Sequence, residues 1–371
     1  MEIIFEKVGV SACSSYEYST VKRSFQEALT PWKGLNSFLH SGQKVLVKPN
    51  LLAPESPEKA VTTHPSIVKA IIETAVESGA EVFVGDSPMR GTLEEVCKVS
   101  GILQVVQETG AHLLPFRTVE EVYYNNANTC SNFPLAKEAL EMDFIINAAK
   151  FKTHTFTGIT AAVKNCFGFI VGADKKRFHL LYPLRKNFSD MLLDLYLLTK
   201  PGLSVIDAVI AMEGPGPRSG RPRPMKSIIV SPSAVAADAV VAELAGFATS
   251  EISTLESASR HKIPGHRLNQ IEIKGPLHSL YVQDFDKGAG GKGWSFLWRY
   301  LPAWFRNYNE RNRPWPVITA KCSVCGFCQE SCPAEVIKED SETGGYFIQQ
   351  EKCIRCYCCL EACPRGAIEL Q

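Results

Sequence analysis

The chain reads as an α/β protein: a largely parallel sheet flanked by helices, followed by a small C-terminal α+β module rich in cysteine. Two observations predict this. From residue 43 onward, short apolar runs alternate with helical stripes, the strand–helix rhythm of a parallel sheet. The last fifty residues also hold nine of the thirteen cysteines, in two copies of one spacing. A length of 371 residues suits two or three domains. The expected division is 1–274 for the α/β domain, 275–317 for a linker and 318–371 for the cysteine module.

Residues 2 to 8 alternate like a strand, and Ser15 to Leu29 reads as a helix with a polar start. Gln43 to Lys48 is a buried strand stopped by Pro49-Asn50. Pro65 fits a first helical turn, and Ile67, Val68, Ile71, Ile72 and Ala75 make an apolar stripe ending near Gly79. Glu81 to Ser87 is a strand running into a turn, and Thr92 with Glu95 has the form of a capping box. Ala136 to Met142 is helical, Asp143 to Asn147 a strand, and Ile159 to Phe169 a helix. Asn187 to Thr199 is a leucine-rich helix closed by Pro201-Gly202. Leu203 to Asp207 and Lys226 to Val230 are strands, and Ser233 opens an alanine-rich helix to Ala245. Residues 275 to 317 break the rhythm. Glycines from Gly288 to Gly293 lead into Trp294, Phe296, Trp298, Trp304 and Phe305. These are expected to clamp the cysteine module onto the main domain, with a partner-docking or membrane-surface helix as the alternative.

Cys322, Cys325, Cys328 and Cys332 follow C-x2-C-x2-C-x3-C with Pro333 after, and Cys353, Cys356, Cys359 and Cys363 repeat it with Pro364 after. That run is the bacterial ferredoxin signature for cubane iron–sulfur clusters, in which the fourth cysteine serves the other cube. Cys322, Cys325, Cys328 and Cys363 are therefore expected to hold one [4Fe-4S] cluster, and Cys353, Cys356, Cys359 and Cys332 the other. Zinc knuckles usually pair across a gap instead, and neighbours this close cannot form disulfides without strain. Cys358 reads as a spare thiol, and Cys13, Cys97, Cys130 and Cys166 as packing.

In an open parallel sheet the ligand crevice lies beyond the carboxyl ends of the strands. The polar residues collected there are Lys48, Asn50, Asp86, Ser87, Lys150 to His154, and Asp207 to Gly216. Lys152, His154, His64, Lys150 and Lys164 are expected to bind and protonate an anion. Lys48, Asn50, Asp86, Ser87, Asp207 and Glu213 are expected to line a cofactor or substrate site. The plainer reading makes the lysines a solvated basic loop and Asp86 a helix cap. Glu213 to Gly220 is a loop that lets backbone approach a ligand. It is neither a P-loop nor the dinucleotide fingerprint. With a formal charge of +1, the chain has no global attraction to nucleic acid or membrane. No signal peptide and no apolar stretch of about eighteen residues is visible. So many free thiols imply a reducing compartment, expected to be the cytoplasm.

Longer motifs run in a fixed order: Lys48-Pro49-Asn50-Leu51, Thr62-Thr63-His64-Pro65, Gly85-Asp86-Ser87-Pro88, and Asn147 through Lys150-Phe151-Lys152-Thr153-His154. Ala162-Val163-Lys164-Asn165, Glu213-Gly214-Pro215-Gly216 and Ala236-Ala237-Asp238 follow. In these the chain resembles the domain-of-unknown-function family 362, in the version fused to a C-terminal two-cluster ferredoxin. The resemblance implies an iron–sulfur protein and little more. The expectation is an electron-transfer enzyme in which low-potential electrons pass from two clusters to an anionic substrate or cofactor in the crevice. The alternatives are a non-catalytic carrier docking to a redox partner protein through the basic loop, and an assembly factor holding a metal or tetrapyrrole. The substrate, the oligomeric state and any further flavin, metal or tetrapyrrole are left open by the sequence.

Overall fold

The computed structural model describes residues 5–289, 313–341 and 343–371. Its strands in chain order are β1 (Glu6–Ala12), β2 (Lys44–Pro49), β3 (Glu81–Val84), β4 (His112–Leu113), β5 (Val119–Tyr123) and β6 (Asn132–Ala136). They continue with β7 (Phe144–His154), β8 (Gly158–Thr160), β9 (Leu203–Glu213), β10 (Arg221–Ser231) and β11 (Ile271–Lys274). The cysteine module adds β12 (Pro316–Ile318), β13 (Ile337–Glu339), β14 (Tyr346–Ile348) and β15 (Ile368–Leu370). Among the described residues nine strands form one sheet in the order β11-β1-β10-β9-β7-β2-β3-β4, with β8 paired to β7. The neighbours from β9 to β4 are parallel, whereas β10 runs antiparallel to both β9 and β1. The sheet is therefore mostly parallel, as expected.

Both faces of this sheet are covered, which is why its strands read as continuous apolar runs. Val45, Val47, Ile146 and Ala148 face one apolar layer, with the helices Tyr18–Ala28 and Pro65–Glu77. Leu46, Ala149, Phe151 and Ile206 face the other, with the helices Arg185–Thr199 and Ala234–Leu244. Local signals set the helix starts. Pro65 stands at the first position of its helix, Thr92 Oγ1 accepts from Glu95 N at 3.1 Å, and Ser233 caps the helix it precedes.

The structure corrects three readings. Lys150 to His154 is not a loop but the continuation of β7, and Asp207 to Glu213 continues β9. The extension is possible because the buried lysines find partners on distant segments. Ile159 to Phe169 is not one helix; it is β8, a single turn Ala162–Asn165 and a 3-10 turn Cys166–Phe169. That turn is held by a carboxylate from another helix: Asp238 accepts from Ala162 N (2.6 Å) and Val163 N (3.1 Å). The aromatic segment from Trp294 to Phe305 lies outside the described residues.

In the cysteine module β12 pairs β15 and β13 pairs β14, both antiparallel. The two cysteine runs repeat in backbone as well as in sequence. Val324, Gly326 and Glu335 have positive φ, and so do Arg355, Tyr357 and Gly366 at the equivalent places. Tyr357 thus adopts a left-handed conformation (φ 64°) where the first run uses glycine. Among the described residues, no helix is long and apolar enough to cross a membrane.

Candidate functional site

The ends of β2 and β3, the strand β7 and the segment after β8 meet the cysteine module around a cavity of about 320 Å³. Asn50, Leu51, Asp86 and Ser87 line it from the first two, Lys152 and His154 from β7, and Lys164, Phe167, Lys175, Lys176 and His179 from the segment that follows. Ser331, Cys358 and Glu361 close it from the cysteine module.

Asp86 lines the cavity and is held behind it in a buried ion pair with Lys48, Nζ to Oδ1 2.8 Å. Asp86 Oδ2 accepts from Leu51 N at 2.8 Å, so Asp86 is not the helix cap that its position suggests. Gly168 passes directly over this pair, and a Cβ there would collide with Asp86 Oδ1 and Lys48 Nζ. Only glycine lets the backbone approach so closely.

Lys152 is 1% exposed. Its Nζ donates to Asn50 Oδ1 and to Val61 O, each at 2.7 Å. Neither acceptor is charged, so burial and then the nearby Lys164 ammonium push Lys152 down to about 7. A chain of amides fixes Asn50: its Nδ2 donates to Asn165 Oδ1 (2.9 Å), and Asn165 Nδ2 donates to Asn147 Oδ1 (2.7 Å). The plain reading of a solvated basic loop fails here, because these side chains are inside the protein.

His154 Nδ1 accepts from Phe156 N (3.0 Å) and Thr157 N (3.3 Å). The neutral ring therefore carries its hydrogen on Nε2, which lies 2.9 Å from Glu361 Oε1. Burial first and Lys164 second hold His154 at about 4, although Glu361 opposes them. Burial would raise Glu361, yet the facing His154 and Lys164 keep it below its ordinary range. The pair is a neutral imidazole facing a carboxylate, and it joins β7 to the cysteine module.

Lys175 Nζ donates to Ser87 O and Lys176 Nζ to Glu330 O. Burial pushes Lys175 down to about 7 against the pull of Asp86. Lys164, with its ammonium 5.6 Å from the Phe167 ring centroid, has no hydrogen-bond or ion-pair partner among the described residues. The four cavity ammoniums thus meet neutral oxygens or nothing. The two cavity carboxylates already face Lys48 and His154.

The other expected site residues lie elsewhere. Lys150 Nζ donates to Asp207 Oδ2 and Tyr16 Oη, each at 2.8 Å, and Tyr16 Oη donates to Asp207 Oδ1 at 2.7 Å. His64 N donates to Asp207 Oδ2 (3.0 Å), its Nδ1 caps the helix by accepting from Ser66 N (3.2 Å), and its ring stacks on Tyr16 at 3.5 Å. Burial holds His64 down at about 4. This knot satisfies its own charges. Glu213 accepts from Asp286 N (3.1 Å), lies near Arg221 and Arg223, and does not line the cavity. The glycine of its loop, Gly216, packs against Thr153 O of β7 rather than leaving room for a ligand.

The eight expected cluster cysteines divide between two small voids. Cys322, Cys325, Cys328 and Cys363 line one, with Gly326 and Tyr346; Cys332, Cys353, Cys356 and Cys359 line the other, with Tyr357. Backbone amides point at the sulfurs: Val324 N to Cys322 Sγ (3.4 Å), Arg355 N to Cys353 Sγ (3.4 Å) and Ala367 N to Cys363 Sγ (3.2 Å). Such hydrogen bonds stabilise thiolates bound to iron, so the donor sets fit cubane clusters. Cys358 and Glu361, the cavity residues that sequence reasoning missed, flank the ligand position Cys359. Their spacing carries no signal of the cavity, because only docking of the module brings them there.

Residues 45–243 match the family described as Domain of unknown function (DUF362), and residues 321–368 match a 4Fe-4S dicluster domain. A thylakoid-associated protein of Synechocystis sp. is 31% identical over 256 residues, covering 69% of this chain and 79% of that protein. Among solved structures, the lactate racemase apoprotein from Thermoanaerobacterium thermosaccharolyticum is similar at TM-score 0.41 and 13% identity, over 62% of this chain and 54% of that one. A Thermotoga maritima protein is similar at TM-score 0.36 and 15% identity, over 57% and 55%. The chain therefore spans about half the length of these two structures. Its C-terminal region is an iron–sulfur, electron-transfer module.

Proposed function

The chain belongs to the DUF362 family, joined to a 4Fe-4S dicluster domain, and from that premise we propose an oxidoreductase that reduces an anionic substrate in the cavity between the two. One observation carries the reading: a crevice lined by unneutralised ammoniums is walled on its far side by Cys358 and Glu361, neighbours of a cluster-ligand position. Two [4Fe-4S] clusters, held by Cys322, Cys325, Cys328 and Cys363 and by Cys353, Cys356, Cys359 and Cys332, supply low-potential electrons one at a time when bound.

The side chains divide the remaining work. Lys164 binds the anion, since its ammonium has no other partner among the described residues. Lys152 holds a proton at Nζ that it gives up near neutral pH, because burial brings it to about 7. Each pair of electrons taken up by the substrate needs two protons; Lys152 delivers one at a time and regains it from solvent. Asn50 orients that ammonium through its 2.7 Å bond. His154 stays neutral and positions the module through Glu361 rather than acting as the acid. The cytoplasmic location and the division at 1–274, 275–317 and 318–371 belong to the same proposal. Docking of a partner through a basic loop is disfavoured, because Lys150, Lys152 and His154 are each 1% exposed.

The test uses protein purified without oxygen, with its iron and sulfide measured. Reduced protein is mixed with candidate small anions, and reoxidation of the clusters is followed by absorbance. Lys152→Met and Lys164→Ala should retain their iron and lose reoxidation. Unchanged rates in both variants would mean that electrons leave by another route.

A further inference from the structure

His179, on the helix Asp174–Leu181, is a buried histidine that the fold does not explain. Among the described residues His154, His179 and His266 are the buried histidines. His154 Nδ1 accepts from Phe156 N at 3.0 Å, and His266 Nδ1 lies 2.7 Å from Ile263 O. His179, 5% exposed, has no hydrogen-bond or ion-pair partner at either ring nitrogen among the described residues. Its Nδ1 is sealed from solvent; Nε2 is not, and the residue lines the cavity.

What surrounds the ring is aromatic. It stacks on Phe188 with centroids 4.3 Å and planes 19° apart, and Phe167 meets it edge-on at 5.7 Å and 83°. Phe156 lies at 6.0 Å. A phenylalanine would suit that cage better than a histidine. A buried polar atom without a partner costs free energy that an apolar ring of similar shape avoids. A polar group kept at such a cost calls for a ligand, since packing gives no reason for it.

Resting on the reading above that the cavity takes an anion, we infer that His179 is a further ligand-binding residue, donating from Nε2 to an oxygen of a small carboxylate or phosphate. A hydrogen on Nδ1 would be a buried donor with nothing to accept it, whereas an unpaired lone pair there is the lesser cost. The neutral ring therefore carries its hydrogen on Nε2, at the edge open to the cavity. Burial holds the ring at about 3, although Glu361 opposes it. The stack on Phe188 fixes the plane of the ring, so the donor is oriented before any ligand arrives and little freedom is lost on binding. Phe167 links His179 to the cavity's unpartnered ammonium: Lys164 Nζ lies 5.6 Å from the centroid of that same ring. An oxyanion resting against Phe167 has several acceptor sites for these two donors, one charged and one neutral. An ammonium is a compact charge with rotatable donors, which any anion satisfies. An N–H of fixed direction demands a lone pair in one place. His179 thus supplies a selection for oxygen that the lysines do not.

The experiment is calorimetric titration of the full chain with sodium acetate and with inorganic phosphate. Iron content is verified, the clusters are oxidised and no reductant is present, so binding is read apart from electron transfer. At least one of the two anions should bind saturably. His179→Phe keeps the stack and removes the donor. It should weaken that anion roughly ten-fold, while its denaturant midpoint stays equal to the wild type's or rises. His179→Gln, whose amide can still donate, should remain within about three-fold of the wild type. If acetate leads, a carboxylate is the ligand chemistry; if phosphate leads, a phosphoryl group is. No saturable binding of either anion, unchanged affinity in His179→Phe, equal losses in the two variants, or a clear fall in the His179→Phe midpoint overturns the inference. Weaker binding in Lys164→Gln with none in His179→Phe would leave an anion site that does not use His179. His179-dependent binding without reoxidation of reduced clusters in the earlier test would overturn the oxidoreductase reading and leave this site standing.

Discussion

Lys150 and Lys152 stand two residues apart on β7, and both are 1% exposed, yet they are accommodated by opposite means. Lys150 has a carboxylate and a phenol at 2.8 Å; Lys152 has two neutral oxygens at 2.7 Å. The pairing of β7 with β9 slips between them: Lys150 lies opposite Asp207, and Lys152 opposite Met212. That slip denies Lys152 a counter-ion from the neighbouring strand. A buried charge that brings its own partner holds the fold together, whereas one left with neutral partners is available to a ligand.

The largest expected effect breaks or upholds this contrast directly. Lys150→Met strands Asp207, which is fully buried, with only Tyr16 and backbone amides to hold it. Removing one partner of a buried ion pair costs roughly 3–5 kcal/mol. Lys152→Met leaves two neutral acceptors unsatisfied, at about 1–3 kcal/mol. Denaturant unfolding of both variants should therefore rank Lys150→Met as the less stable. Cluster reoxidation by substrate should rank them the other way. If Lys152→Met is the more damaging to stability, Lys152 is architecture as well and the contrast is lost.

A smaller effect is expected in the pH dependence of stability. Burial depresses Lys152 and Lys175 from 10.5 to about 7. The unfolded chain binds protons at these groups below 10.5 while the folded protein does not until about 7. Stability from this source is therefore fully present above 10.5 and falls as the pH drops toward 7. In Lys152→Met the rise in unfolding midpoint between about pH 7 and pH 10 should be shallower, by the share of one proton. An identical slope in the two proteins would mean that Lys152 is not depressed.

The same lysines show how far the sequence could be read. The apolar runs of β2, β3 and β9 were visible because both faces of the sheet are covered, and the caps at Pro65, Thr92 and Ser233 announce themselves locally. Lys150 to His154 looked like a loop because lysines rarely sit inside a strand. What makes them acceptable is Asp207, Asn50 and Val61, brought from as far as 102 positions away in the chain. His64 and Asp207 had the right residue types for a site and proved to satisfy each other through Tyr16. Glu361 and Cys358 could not be found at all, since their neighbours in sequence speak only of cluster spacing. Local patterns report which backbone a segment adopts; which charges end up facing one another is decided by packing between distant segments.

The two cysteine runs offer a second contrast, with the smallest expected effect. Their backbones repeat, but their surroundings do not. Cys325 is exposed and Val324 beside it is 46% exposed. Cys356 and Cys359 are 7% and 8% exposed, beneath a cover in which the Arg313 guanidinium lies 4.8 Å from the Phe156 ring centroid and 5.8 Å from that of Tyr357. Among the described residues Cys325 is therefore the cysteine that water and small reagents reach most readily. If each void holds one cluster, an iron chelator added to oxidised protein should release the iron in two phases, the faster one accounting for about half. Val324→Glu, which adds a charge beside Cys325 and touches no part of the cavity, should change the fast phase only. Release in one phase would mean that both clusters open through a common motion of the module, and the asymmetry between an outer and an inner cluster would not govern their chemistry. Two phases of which the slower is shortened by Arg313→Ala would tie the inner cluster's protection to its cover on the α/β domain.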